Sequence, residues 1–207
     1  TRLVSRVRAV LGKELALREL FRAPTVAGVV DSLLDSRGQD LPALVAVERP
    51  ERVPLSFAQY RLWFLDRMEG GGATYNVPVV LRLGGLLDAG GLEAALGDVV
   101  ARHEALRTVF PSEGGEPYQV VVPSQQARPE VEVLDCSAEQ VSAEVDRLVG
   151  YAFDLGAEIP VRAWLLRVAE DEHVLVLLIH HIAADGWSMG PLMADLASAY
   201  GDRVAGG

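Results

Sequence analysis

The sequence predicts an α/β fold with a mixed β-sheet. Half of the 207 residues are hydrophobic, which is enough apolar surface for a substantial core. Segments rich in β-branched and apolar residues predict strands, and stretches with apolar residues at helical spacing lie between them. Helices and strands alternate irregularly along the chain, and this order favours a mixed sheet.

The N-terminal residues predict a small helical part. Residues 1–12 place apolar side chains at helical spacing, with arginines between them. After a short helical turn, Thr25 is placed to cap a second amphipathic helix that ends near Arg37 and Gly38. We therefore expect helices over residues 1–38.

A linker is predicted next. Residues 39–54 contain three prolines, several charges and no apolar period, which is typical of a linker on a surface. We assign residues 39–53 to this linker and residues 54–207 to the larger domain.

The larger domain is predicted to contain both kinds of element. In chain order, the predicted elements are a helix over LSFAQYRLWFLDRME, the loop GGGATYN, a strand VPVVLRL, a helix from Asp88 to about Leu106, strands YQVVV and VEVLD, a helix over 138–150, strands VRAWLLRV and HVLVLLIH, and a helix from Met189 to Tyr200. The polar segment AEDE between the last two strands predicts a hairpin turn. The apolar stripe of the Asp88 helix carries Leu92, Leu96, Val99, His103 and Leu106.

Composition excludes several function classes. The formal charge of −10 argues against a nucleic-acid or anionic-membrane partner, because phosphates are bound by clustered Lys and Arg. No apolar run approaches the roughly 20 residues that span a bilayer. A single cysteine, Cys136, excludes an internal disulfide framework and suits a reducing cytoplasm, where we expect this chain to be located.

The segment VLVLLIHHIAADG carries the candidate chemistry. Its apolar residues 174–179 predict a strand buried on both faces, and such strands deliver functional residues at their ends. His180 and His181 follow at this end. Because successive strand residues point to opposite faces, we expect one imidazole to face the interior and the other an open cleft.

Two other interpretations of the histidine pair compete with a catalytic one. A zinc site needs about three protein ligands, and no further His, Cys or Glu lies at a suitable spacing, so we expect no metal. Both histidines could otherwise be ordinary core residues. Asp185 and Gly186 weaken that interpretation, because an aspartate can orient an arginine or a ring and a glycine can bring a bare N–H near a ligand.

Arg107 is a second charged residue to explain. It lies four residues after His103, on the apolar stripe, and a buried guanidinium needs a carboxylate partner. Asp185 is the natural candidate. The alternative is that the Arg107 side chain extends to solvent from the end of its helix.

Three motifs resemble those of the condensation domains of nonribosomal peptide synthetases. HHIAADG fits the family's HHxxxDG signature, LSFAQYRLWFLDRM fits the opening motif and RHEALRTVF fits the second motif, in the family's order. HHxxxDG alone is also shared by acyltransferases of the chloramphenicol acetyltransferase type. The resemblance implies a chloramphenicol acetyltransferase-like fold, of which residues 54–207 would be the N-terminal half.

The resemblance also implies the surroundings of this domain. Residues 1–38 resemble the last part of a peptidyl carrier domain whose phosphopantetheine-bearing serine lies before Thr1, and Ser5 lacks the context of that serine. Phosphopantetheine would be carried by partner carrier domains and not by this chain. The implied partners are an upstream donor and a downstream acceptor carrier domain, a neighbouring adenylation domain and the C-terminal half of the condensation domain.

The implied reaction is peptide-bond formation between two carrier-bound thioesters, with an L-configured donor and an L-configured acceptor. His181 would accept the proton of the attacking amine or position that amine, and Gly186 would offer a backbone N–H to the oxyanion. His180 would be architectural, and Asp185 would be structural through Arg107. We expect the isolated fragment to be inactive. The alternatives are a free-standing acyltransferase of the same superfamily and a noncatalytic docking or scaffold fragment.

Overall fold

The computed structural model of the chain describes residues 2–13, 15–35, 45 and 47–206. The chain divides into two compact units, Thr1–Glu48 and Arg49–Gly207. Residues 39–44 and 46 of the predicted linker, and the predicted helix end at Arg37 and Gly38, lie outside the described residues.

The first unit consists of helices, as the apolar spacing predicts. They are α1 (Arg2–Leu11), α2 (Leu17–Arg22) and α3 (Val26–Asp35). Their apolar faces pack around the buried side chains of Val7, Leu15 and Leu33. The predicted cap of α3 is confirmed, because the Thr25 hydroxyl accepts a hydrogen bond from the Gly28 N–H at 3.1 Å.

The second unit contains both helices and strands. Its elements are β1 (Val53–Pro54), α4 (Phe57–Glu69), β2 (Asn76–Gly84), α5 (Ala89–Arg102), the 3₁₀-helix η1 (Glu104–Arg107), β3 (Thr108–Val109), β4 (Ser112–Glu113), β5 (Glu116–Val121), β6 (Val131–Asp135), α6 (Val141–Val149), β7 (Val161–Ala169), β8 (Glu172–His180) and α7 (Met189–Val204). No helix among the described residues is both long enough and apolar enough to cross a bilayer.

The main sheet has the strand order β2-β8-β7-β6. Strand β8 pairs antiparallel with both β2 and β7, whereas β6 pairs parallel with β7. The predicted mixed sheet is therefore confirmed, and so is the predicted β7–β8 hairpin. Strands β1, β3 and β4 all pair with β5 in a smaller separate arrangement.

The core lies on both faces of β8. Leu175, Leu177 and Ile179 point towards one apolar cluster, which includes buried side chains of α5 and α7. The alternate residues Val174, Val176 and Leu178 point towards another, which includes Trp63 and Phe153. Because each face is covered, every position from 174 to 179 must be apolar, and this explains the unbroken apolar run.

Helix α5 is shorter than predicted. The chain leaves the α-helix at Arg102, takes an extended conformation at His103 and continues as η1. Leu92, Leu96, Val99 and Leu106 are buried as predicted. Asp88 occupies the N-cap position, but its side chain makes no capping hydrogen bond.

Helix α4 has strong end signals. The Ser56 hydroxyl accepts from the Gln59 N–H, and the Gln59 side chain accepts from the Ser56 N–H, which forms a capping box. Gly70 ends the helix with φ of 81°, a conformation that glycine adopts at little cost. The glycine-rich loop therefore begins where α4 stops.

Replacing Leu178 tests the contribution of β8 to stability. Leu178 is 0% exposed, so Leu178→Ala removes a buried side chain and leaves a cavity. We expect the free energy of unfolding, measured by urea denaturation, to fall by about 2–5 kcal/mol. The matched control is Leu86→Ala, whose side chain is 84% exposed and whose loss should change this free energy by less than about 0.5 kcal/mol. Equal effects of the two substitutions would contradict the assignment of β8 to the core.

Candidate active site

The candidate site lies in the loop between β8 and α7. His180 is the last residue of β8, and turns over residues 181–183 and 186–188 lead to the first residue of α7. The His180 N–H donates to the Pro160 carbonyl at 3.0 Å, and the His181 N–H donates to the Tyr75 carbonyl at 2.8 Å. These bonds hold the backbone at the point where the strand ends.

The His180 ring is fully buried. Its Nδ1 accepts a hydrogen bond from the Ile182 N–H at 3.1 Å, and its ring lies against Phe153 and Tyr75, with centroid distances of 6.1 and 6.2 Å. Burial, with a smaller effect of His181, lowers the pKa of His180 to about 4. The ring is therefore neutral at pH 7, and because Nδ1 is an acceptor the proton sits on Nε2.

The His181 side chain is exposed. Its Nδ1 lies 2.8 Å from the Ala184 carbonyl oxygen. A carbonyl only accepts hydrogen bonds, so the neutral ring carries its proton on Nδ1 and has an unprotonated Nε2. The predicted opposite orientation of the two rings is confirmed, with His180 inside and His181 outside.

Asp185 organises the loop locally. Its Oδ1 accepts hydrogen bonds from the Trp187 N–H, the Ser188 N–H and the Ser188 hydroxyl, at 2.8–3.0 Å. The hydrogen bonds from Ser188 hold the pKa of this carboxyl below its usual range. Asp185 therefore stays ionised and fixes the turn that leads into α7.

The predicted ion pair between Arg107 and Asp185 is wrong. The Arg107 side chain is only 13% exposed, and its guanidinium donates to the carbonyls of Val122, at 2.7 Å, and Ala101, at 3.3 Å. Its carboxylate neighbour is Glu104, at 3.5 Å. The alternative of a solvent-exposed Arg107 is also wrong. The 3₁₀ turn of η1 directs the guanidinium towards the backbone at the end of α5 and after β5, which satisfies it without Asp185.

Gly186 has an ordinary backbone conformation and open space beside it. Its φ is not positive, and a Cβ built on it would meet no atom within 4 Å. The fold of this chain therefore does not require glycine here. Within the described residues the Gly186 N–H has no hydrogen-bond acceptor, so it is available to a group from outside the chain.

Sequence reasoning missed the residues that surround His180. Tyr75, Asn76 and Phe153 come from distant parts of the chain, and strand pairing brings Asn76 directly opposite His180. The sequence signal was the TYN segment of the glycine-rich loop, but nothing in one sequence gives the register of β2 against β8. No group of three His, Cys, Asp or Glu side chains suited to a metal ion occurs in the part of the chain that the structure describes.

Burial of neutral His180 predicts a pH dependence of stability. The unfolded chain binds this proton near the ordinary pKa of 6.5, whereas the folded chain binds it only near 4. The unfolded state holds more protons between these values, so the free energy of unfolding falls as the pH is lowered through them. We expect a loss of about 2 kcal/mol between pH 7.5 and pH 5 that is due to His180.

Urea denaturation of the His180→Gln variant isolates this contribution, because carboxyl groups titrate in both proteins. The variant should lose less stability than the wild type between these pH values. Parallel pH profiles for the two proteins would show that His180 is not the group responsible.

The corrected partners of Arg107 and Asp185 predict independent effects on stability. The two side chains share no hydrogen-bond partner among the residues that the structure describes, so a double-mutant cycle with Arg107→Ala and Asp185→Ala should be additive within about 0.5 kcal/mol. The measurement is urea denaturation of the two single variants and the double variant. A coupling energy well above this value would restore the direct ion pair.

Comparison with known proteins identifies the family. The Condensation domain family model matches residues 50–206. The chain is 52% identical over 206 residues to a probable non-canonical nonribosomal peptide synthetase, CymA, of Salinispora arenicola, covering 100% of this chain and 3% of that protein. It is 50% identical over 205 residues to a dimodular nonribosomal peptide synthase of Bacillus subtilis, covering 99% of this chain and 9% of that protein.

Solved structures agree with this match. The X-domain from teicoplanin biosynthesis shares 44% identity and a TM-score of 0.72, covering 80% of this chain and 36% of that one. The first condensation domain of the CDA synthetase shares 26% identity and a TM-score of 0.65, covering 75% of this chain and 41% of that one. The chain thus spans less than half of these solved domains, and it belongs to the condensation-domain family of nonribosomal peptide synthetases.

Proposed function

We propose that this chain supplies the catalytic loop of a condensation domain that forms an amide bond between two carrier-bound thioesters. The observation that carries this proposal is the exposed His181 ring at the end of β8. Its Nδ1–H is held by the Ala184 carbonyl, so the lone pair on Nε2 is free to accept a proton. The ring also occupies the second histidine position of the HHIAADG motif.

The proposed step is an aminolysis. The α-amine of the acceptor aminoacyl thioester attacks the donor thioester carbonyl, a C–N bond forms, and the C–S bond then breaks. Nε2 of His181 accepts or orients the amine proton, which passes to the departing thiolate. The free N–H of Gly186 is suited to donate to the oxyanion that develops on the carbonyl oxygen.

His180 and Asp185 have supporting roles in this proposal. The buried His180 ring accepts the Ile182 N–H and so fixes the turn that carries His181. Asp185 fixes the next turn through Ser188, which sets where the Gly186 N–H lies. Arg107 contributes from further away, because its guanidinium ties η1 to the backbone at Ala101 and Val122.

The proposal extends to the partners of the domain. We infer a donor carrier domain, an acceptor carrier domain, a neighbouring adenylation domain and the rest of the condensation domain, with phosphopantetheine on the carriers. We assign residues 54–207 to the condensation domain and residues 1–38 to the end of a carrier domain. The helical first unit supports that assignment, as does the match of the whole chain within nonribosomal peptide synthetases. We further propose an L-donor and an L-acceptor, on the sequence of the motifs.

A second candidate function is a docking platform without catalysis. Two solved structures of an X-domain from teicoplanin biosynthesis share 43–44% identity with this chain, and one of them is a complex with OxyB. A condensation-type fold can therefore serve as a binding surface. The exposed Nε2 of His181 favours catalysis for this chain, and the following experiment separates the two functions.

Replacing His181 tests the catalytic proposal. The complete condensation domain is supplied with both loaded carriers, and amide product is measured over time. We expect His181→Gln to lower the rate about 10²–10⁴-fold, because the side chain loses its basic nitrogen. The free energy of unfolding should fall by no more than about 1 kcal/mol, because the His181 ring is exposed and loses only its hydrogen bond to the Ala184 carbonyl.

The matched control is His103→Gln. His103 is also partly exposed, but its Nε2 lies 2.7 Å from the Asp195 carboxylate and is therefore already engaged, unlike the Nε2 of His181. This variant should retain most of the rate. A wild-type domain that binds loaded carriers but forms no product would support the docking function instead. We expect the 207-residue chain alone to form little product.

A further inference from the structure

Two residues that are paired at the end of β8 each carry a buried polar atom without a hydrogen-bond partner among the described residues. Asn76 and His180 are direct cross-strand partners in the antiparallel pairing of β2 with β8. In such a pair the two side chains project from the same face of the sheet, with Cβ atoms about 5 Å apart. Neither Asn76 Oδ1 nor His180 Nε2 has a hydrogen-bond partner within the described chain, although both atoms are buried.

The two atoms are chemically complementary. His180 Nδ1 accepts the Ile182 N–H, so Nε2 of the neutral ring carries a proton and is a donor. The Asn76 Nδ2 group donates to the carbonyls of Val149, at 2.9 Å, and Tyr151, at 2.7 Å. These two bonds fix the orientation of the amide, so Oδ1 is an acceptor.

Leaving both atoms unpaired would be costly. A buried donor or acceptor without a partner destabilises the folded chain by roughly 1–3 kcal/mol, and a complementary pair is commonly bridged by an ordered water. One water molecule spans a gap that is too wide for a direct hydrogen bond.

We propose that Asn76 is a positioning residue for the His181 loop, because its Oδ1 accepts, through one buried water, the proton that His180 carries on Nε2. This contact holds the His180 ring in the Nε2–H tautomer. Only that tautomer has an Nδ1 lone pair for the Ile182 N–H, and this bond sets the turn after β8. Asn76 thus acts on His181 through His180. Asn76 is the only asparagine of the chain, and the predicted site residues did not include it.

Spectra of ¹⁵N-labelled histidine in the 207-residue chain test the contact without any catalytic assay. At pH 7 the wild-type His180 should show a protonated Nε2, an unprotonated Nδ1 and a cross-peak from Nε2–H to a long-lived water. Asn76→Ala removes the acceptor, so this cross-peak should vanish and the Nε2 proton should exchange at least about 10-fold faster. The absence of the cross-peak in the wild type would by itself overturn the proposal.

The Asn76→Asp substitution keeps an oxygen acceptor at residue 76 but removes the two hydrogen bonds that Nδ2 donates. The carboxylate keeps an oxygen at the position of Oδ1 and adds a negative charge opposite His180, so the pKa of His180 should rise by at least about 1 pH unit from its low value. Among the described residues, Tyr75 and His181 are the titratable side chains that interact with this ring, and neither is changed. The matched control, Val80→Asp, places a carboxylate on the same face of β2 but opposite Val176, and it should leave this pKa unchanged.

An activity measurement completes the test, and only this arm rests on the proposed function. In the complete condensation domain, Asn76→Ala should lower kcat about 10-fold with little change in KM, as expected for the loss of a residue that orients another. If the wild-type domain forms no product, the proposed function fails while the spectra still decide the contact. An unchanged tautomer and pKa in both folded Asn76 variants would show that Asn76 is merely structural.

Discussion

The covered position of strand β8 is the constraint on which the rest of the second unit depends. Its backbone pairs with β2 on one edge and with β7 on the other, and apolar clusters cover both of its faces. A one-residue slip of this strand would exchange its side chains between two differently packed clusters and would move His180 out of its buried position at the strand end. The loop that carries His181 therefore starts from a fixed point, and the site takes its precision from the sheet.

The buried side chain of His180, the last residue of β8, also fixes the turn that follows the strand. An aliphatic side chain would fill the same space, but it could not accept the Ile182 N–H, and that donor would remain buried and unpaired. The imidazole meets both needs in its neutral form. Tyr75 supports the same region twice, since its carbonyl accepts the His181 N–H and its ring lies against His180. The polar residues around the loop thus form a scaffold for one exposed ring.

Much of this architecture could be predicted from the sequence, because it follows from local patterns. The apolar run 174–179 predicted a strand covered on both faces, and the alternation rule predicted that His180 and His181 would separate. The partners of Arg107 could not be predicted, because the 3₁₀ turn at η1 depends on how α5 ends. Asn76 was missed for a similar reason. Strand register is a long-range property, and one sequence does not encode it in any local spacing.

Gly186 is a residue whose proposed function would not be detected by measuring the stability of the chain. Its φ is not positive, and a Cβ built on it would meet no atom within 4 Å, so the folded chain places no evident demand for glycine at this position. Any demand must come from a molecule that approaches the loop. A library of variants sorted for expression or thermal resistance would retain alanine and serine here, and only selection in the presence of the natural partners would remove them. The range of residues that folded variants accept at position 186 would show how far folding and function place separate requirements on this residue.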